Sequence, residues 1–150
     1  MKNTKGGMVD ISGKEPTLRE AVVEGRVRMK EEVLERIRKG KIPKGDVLEV
    51  SRIAGIQAAK RTWELIPLCH PIPIEHIDIE FSYGRGEIII TSRVKGRAKT
   101  GVEMEAFVAT TVAALTIYDM GKAFDPEMEI TGVILREKKG GKSGVFRRES

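Results

Sequence analysis

The only cysteine of the 150-residue chain, Cys69, stands beside one of its two histidines in "LIPLCHPIPIEH", residues 65–76. A thiol next to an imidazole suggests a nucleophile and its base. Neighbours in an extended segment point to opposite faces, however, and a usable base must be adjacent in space rather than in sequence. Pro67, Pro71 and Pro73 fix φ at about −65° and remove backbone donors, so the segment reads as an extended, preshaped entry into a strand. Such a segment can hold His70 against a ligand as a hydrogen-bond donor. A loop histidine satisfied by its own surroundings accounts for the same pattern. His76 falls inside the strand pattern and reads as structural.

Three further places carry charge where chemistry could use it. "TGVEMEA", residues 100–106, puts Glu103 and Glu105 at the start of an apolar helix, where the macrodipole alone would favour them. In "LTIYDMGKAFD" Asp119 lies near the other end of that helix, where the dipole disfavours a carboxylate, and Lys122 follows at i+3. A surface ion pair of this spacing contributes only about 0.2–0.5 kcal/mol. Directly after an apolar stretch, the pair reads as a candidate acid and base. "KKGGKSG", residues 138–144, has the composition of an anion-binding loop, with Lys142 adding charge. It is not a Walker A loop, since Arg136 stands where a glycine is needed. A solvated C-terminal tail would have the same composition.

The elements that must position these groups follow from periodicity. "EAVVEGRVRM" puts Ala21, Val23, Val27 and Met29 on one period-2 face, a half-buried strand, although Thr17 and Glu20 also fit a helix-capping box. "KEEVLERIRK" is a short amphipathic helix, and a second helix, capped by Asp46 with Glu49 three residues on, runs to about Lys60. Ile77, Ile79 and Phe81 alternate into a hairpin that turns at "YGRG" into "EIIITSRV". Gly101 to Tyr118 is a long helix, apolar nearly all round, and "MEITGVIL" supplies a last strand before the Gly- and Lys-rich tail. The order β-α-α-β-β-α-β predicts an α+β, ferredoxin-like fold: an antiparallel sheet with helices packed on one face.

Length and a 40% hydrophobic composition fit one domain over 1–150, with a loose N-terminus to about residue 8 and a tail from about 138. The longest nearly apolar stretch, Ala106 to Tyr118, has 13 residues, short of the roughly 18 of a membrane span. The N-terminus has no apolar segment suited to export, so a cytoplasmic location is expected. One cysteine and two histidines make a metal site within one chain a weak reading. A net charge of +5 favours anionic partners. A nucleic-acid-binding module of ferredoxin-like plan would need stacking aromatics on its strands, and only Phe81 and Tyr83 lie there, so no nucleic-acid partner is expected. The apolar long helix predicts a homo-oligomer.

Several unusual strings in order resemble one family, the cyclic pyranopterin monophosphate synthases, or MoaC-type enzymes, of molybdenum cofactor biosynthesis. They are "MVDIS", "KGDVLEVSRIAGIQAAKRTWELIPLCHPI", "KTGVEMEA", "AALTIYDMGKA" and "GGKSG", spread over most of residues 8–144. The resemblance implies a lyase that converts a cyclised dihydro-GTP to cyclic pyranopterin monophosphate with release of pyrophosphate. It also implies that no cofactor is required, that a divalent cation can accompany the triphosphate, and that the chain forms a hexamer as a trimer of dimers. Carried over by position, Asp119 is the catalytic acid or base and Lys122 its partner. Leu68, Cys69, His70, Met104 and Glu105 contact substrate, with Glu103, Lys44 and Lys142 beside them. Ala98 before "KTG" and Gly121 before Lys122 depart from the pattern without changing a reacting group. Gly121 weakens the helix end that places Lys122.

Overall fold

The computed structural model describes residues 6–142 and 144–149; residues 1–5 of the expected loose N-terminus, and Ser143 within "GGKSG", lie outside them. A five-stranded antiparallel sheet runs in the order β2-β3-β1-β4-β5. Its strands are β1 (Thr17–Arg28), β2 (Ile74–Gly84), β3 (Glu87–Ala98), β4 (Glu129–Lys139) and β5 (Phe146–Arg147). The helices are α1 (Glu31–Arg38), α2 (Val47–Lys60), the single turn α3 (Thr62–Leu65) and α4 (Glu103–Gly121). The first four strands and the two long helices make the expected ferredoxin-like α+β plan. The strand alternative wins for residues 17–28 because Ala21, Val23 and Val27 are fully buried at period 2, and the segment hydrogen-bonds on both sides, to β3 and β4.

The core lies between one face of the sheet and α2 and α4. Leu34, Ile79, Ile88, Ile90 and Ile117 are its largest enclosed side chains. Each contributes about 1.5–3 kcal/mol by leaving water. Helices α2 and α4 approach closely through small residues. A Cβ on Gly55 would lie 2.7 Å from the Ala109 carbonyl oxygen and 2.6 Å from Ile79. Only glycine permits this spacing. Asp46 caps α2 as its position suggests, its Oδ1 accepting from the Glu49 N–H at 3.2 Å. Phe81 and Tyr83 pack against the helical core, with the Arg52 and Arg38 guanidiniums over their rings at 5.3 and 4.2 Å. Arg52 also donates from Nε to the Ile79 carbonyl at 3.0 Å, on the outer edge of β2.

Two features differ from the sequence expectation. The segment after β4 does not simply trail away: β5 pairs with Glu137 and Lys138, and the Arg148 N–H donates to the Arg136 carbonyl at 2.8 Å. The Gly- and Lys-rich stretch is therefore a connection held at both ends. In the proline segment, Pro67 lies inside a turn closed by Cys69 N–H to Ile66 C=O at 3.1 Å, following α3. Only the part containing Pro71 and Pro73 is the irregular run into β2. Proline suits the second position of such a turn because its φ is already set.

Candidate active site

Helix α4 is the beam on which the site is built. At its first turn, Glu103, Met104 and Glu105 meet Leu68, Cys69 and His70, brought there by the turn at Pro67, around a cavity of about 250 Å³. Six of the residues expected from sequence thus converge. Val9, Ile11 and Ile72 make the rest of that wall largely apolar.

The electrostatics of this end are unusual. Glu105 is 3% exposed, and its Oε1 has no hydrogen-bond partner among the described residues. Burial pushes its carboxyl up from the ordinary 4.5 to about 7; its own backbone N–H opposes the shift, and Glu103 adds to it by repulsion. Burial, with the nearby Glu105 carboxyl, also raises the Cys69 thiol. A thiol shifted upward is a poor nucleophile at neutral pH, and Cys69 stands in the cavity wall. Asp10, in the N-terminal segment, is held below the usual carboxylate range by the Ser12 hydroxyl and N–H, at 2.7 and 2.9 Å, and feels the charge of His70.

A buried acid of this kind makes stability depend on pH. The folded-state value of Glu105 is above the unfolded one, so its contribution is fully present below about 4.5 and is lost as pH rises through about 7. Glu105→Gln removes the charged form. The variant is expected to match wild type near pH 4 and to exceed it by about 1–3 kcal/mol at pH 8, measured by chemical denaturation at both pH values. Equal differences at the two pH values would show that Glu105 does not titrate in this range.

Adjoining the cavity, and sharing Lys14, Thr100, Gly101 and Glu103 with it, is a polar recess that Arg19, Lys138, Lys139 and Gly140 complete. Arg19 is aimed by the Ala98 and Lys99 carbonyls, accepting at 3.0 and 3.5 Å, and Lys138 pairs with Glu103 at 3.5 Å. Gly140 and Gly141 have φ of 101° and 74°. That conformation is open to glycine, and a Cβ on either residue would also clash with Leu18 or Arg19. Lys142 follows in the same connection. Lys14 and Arg19 were not singled out from sequence. Arg19 was visible in principle: it is the one charge on the period-2 row that continues through Ala21 and Val23.

Asp119 and Lys122 lie at the other end of α4. At roughly 1.5 Å of rise per residue, Asp119 stands about 24 Å along the helix from Glu103. Lys122 Nζ donates to Asp119 Oδ1 at 2.9 Å, and Lys44 Nζ donates to Oδ2 at 3.1 Å and to the Asp119 carbonyl at 3.2 Å. Lys44 thus joins this cluster. Lys122, foremost, and Lys44 hold the Asp119 carboxyl below its usual range, and Asp119 holds the Lys122 ammonium above its own. The apolar surround expected for the pair is absent within the chain, because all three side chains are about half exposed. The helix ends at a turn of chain facing solvent, so the long apolar run before it does not enclose its last residues.

The chain is similar to known proteins over nearly its whole length. The model of the MoaC family matches residues 8–141. A protein of Brevibacillus brevis named cyclic pyranopterin monophosphate synthase is 53% identical over 148 residues, covering 98% of this chain and 92% of its own. Proteins of the same name from Pelotomaculum thermopropionicum and Heliobacterium modesticaldum are 56% and 55% identical, covering 95% and 97% of this chain and 85% and 94% of their own. No helix among the described residues is long and apolar enough to cross a membrane. With family match and relatives running the length of the fold, and through both charged ends of α4, the chain belongs to the MoaC family of enzymes.

Proposed function

We propose that the chain converts a cyclised dihydro-GTP, in which the purine is carbon-bonded to the ribose, to cyclic pyranopterin monophosphate with release of pyrophosphate. The observation that carries this reading is the apolar cavity at the start of α4 joined to a recess lined by Lys14, Arg19, Lys138 and Lys139. A head group fits the first. A triphosphate with three or more negative charges asks for several cations, and the second supplies four, of which Lys138 is paired with Glu103 and Lys139 with Glu137, with glycines that let the backbone approach.

In the reaction the purine ring opens and is rebuilt as a pterin. An internal hydroxyl then forms a bond to the α-phosphorus as the bond to pyrophosphate breaks. The hydroxyl proton goes to a base, and the charge leaving with pyrophosphate is met by the cations of the recess. Asp119 is the catalytic acid or base by this reading, and Lys122 its partner. No redox cofactor takes part, and a divalent ion would enter on the triphosphate.

Both ends of α4 serve one substrate when a second copy brings its Asp119 end to this chain's Glu105 end. Val50, Ile53, Trp63, Leu65 and Leu115, exposed on α2, α3 and α4, supply apolar surface for such contact. The assembly proposed is a hexamer, a trimer of dimers. Incubation with the cyclised dihydro-GTP, following pterin and pyrophosphate together, tests the function. Equimolar formation of both is the expected result, and turnover of neither would overturn it.

A further inference from the structure

Asp125 lies in the turn between α4 and β4, three residues beyond Lys122. It is 2% exposed, and aspartates are seldom buried so fully without a reason. Its Oδ2 accepts from the Lys30 N–H at 3.1 Å and its Oδ1 from the Glu127 N–H at 3.0 Å. Its own N–H donates to the Gly121 carbonyl at 3.2 Å. One buried residue thus ties together the end of α4, the residue before α1 and the entry to β4. The bond to Glu127 alone would make an ordinary turn, for which an exposed aspartate suffices. The bond to Lys30, 95 residues away in sequence, is what burial of the carboxyl serves.

Two arms lead from this anchor to one other carboxylate. The first is the turn itself, which carries Lys122 and is closed by the Phe124 N–H on the Gly121 carbonyl at 2.9 Å. The second is α1, which lies against that turn. A Cβ on Gly121 would meet Val33 at 3.9 Å, and the Arg36 guanidinium stands 4.5 Å from the centre of the Phe124 ring. The segment after α1, folded back by the Lys41 N–H on the Arg36 carbonyl at 2.8 Å and rooted by the buried Ile42, delivers Lys44. Lys122 and Lys44 then donate to opposite oxygens of Asp119 at 2.9 and 3.1 Å. A displacement of about 1 Å takes either contact out of hydrogen-bonding range. Gly121 adds no stiffness of its own to the helix end, so the spacing of the two ammoniums depends on what holds α1 to the turn. We propose that Asp125 is a positioning residue of the Asp119 cluster: its buried carboxyl clamps α1 to the α4–β4 turn and so sets where Lys44 and Lys122 stand. The inference rests on the functional reading above, which makes that cluster the catalytic one.

The test compares the full-length protein with its variants Asp125→Asn and Asp125→Ala. Asparagine keeps the shape and one acceptor oxygen but turns an NH2 toward one of the two N–H groups, and alanine removes both acceptors. Per assembled protein, kcat is expected to fall about tenfold in the first and about a hundredfold in the second, the scale of a misplaced catalytic group. KM for the cyclised dihydro-GTP should stay within about twofold of wild type in both. A merely structural role would lower the melting temperature and the assembled fraction and leave kcat per assembly unchanged. The second measurement needs no turnover: brief acetylation with acetic anhydride at pH 8, read residue by residue by mass spectrometry. Asp119 keeps the Lys122 amine protonated, so a loosened pair should let Lys122 react about threefold faster relative to Lys95 in Asp125→Asn than in wild type. Should Asp125→Ala not assemble, Asp125→Asn carries both measurements. Wild-type kcat in assembled Asp125→Asn, or an unchanged ratio of Lys122 to Lys95 labelling, would overturn the proposal. Either result alongside normal formation of pterin and pyrophosphate by wild type removes Asp125 alone. Absence of turnover by wild type removes the functional reading, and the labelling ratio then still decides whether Asp125 holds the cluster.

Discussion

Asp119→Asn is expected to lose about 10²–10⁴-fold in turnover while keeping fold, assembly and phosphate binding. Asparagine preserves the shape and one acceptor oxygen, so Lys122 and Lys44, now at 2.9 and 3.1 Å, keep a neighbour. The amide takes up no proton. The exposure of the pair means little stability is at stake, since solvent screens a surface ion pair. The cations of the recess lie beyond the other end of α4, whose Glu103 is about 24 Å along the helix, so on the same chain they are untouched. Lys122→Arg separates the roles of its partner: it keeps the charge but not the compact, titratable ammonium. It should fail if Lys122 delivers a proton and survive in part if it only neutralises charge. Steady-state turnover of the purified assemblies, with pyrophosphate affinity as the binding control, decides both. Near wild-type turnover by a folded Asp119→Asn protein would falsify the acid–base assignment.

The second large effect is a recovery. His70→Ala and Asp119→Asn damage opposite ends of α4, and each variant alone should be close to inactive. Unfolded together and refolded as a mixture, they should regain about a quarter of wild-type activity, because a site built from two chains has even odds of an intact part from each. A site contained in one chain would regain nothing, since every chain would still carry one lesion. The measurement is activity of the co-refolded mixture against each variant refolded alone and against a simple mixture of the two native assemblies, which should stay inactive.

Much of the fold was legible because its signals are local. The period-2 row of Ala21, Val23 and Val27, the Asp46 cap and the "YGRG" turn each specify their element within a few residues, and the strand order follows from the connections. The strand β5 was not legible, because two residues of pairing leave no periodic trace. The turn at Pro67 was hidden for another reason: proline is at home both in extended chain and at the second position of a turn. Within the site, "LCH" and "VEMEA" stood out as strings, and the fold joins them. Lys14 and Asp10 were missed because each is an ordinary residue in its own segment, and Arg19 left only the trace of a single charge on an otherwise uncharged period-2 row. They gain meaning only when β1 delivers Arg19 beside Gly141 and the N-terminal segment passes His70. The titration of Glu105 was equally invisible. A glutamate at a helix start is favoured by the dipole, and only the folded packing around it removes the water that would hold it charged.

The guanidinium of Arg52 bears on a different property of the molecule. Strand β2 is the outermost of the sheet on its side, and an unpaired edge invites another strand to add to it. By donating to the Ile79 carbonyl and lying over Phe81, Arg52 occupies the middle of that edge with a charged group that no incoming backbone can imitate. The consequence is colloidal: an Arg52→Ala protein is expected to gain turbidity over days in concentrated solution before it loses catalysis or melting temperature, and equal clarity of the two proteins would show that this edge needs no guard.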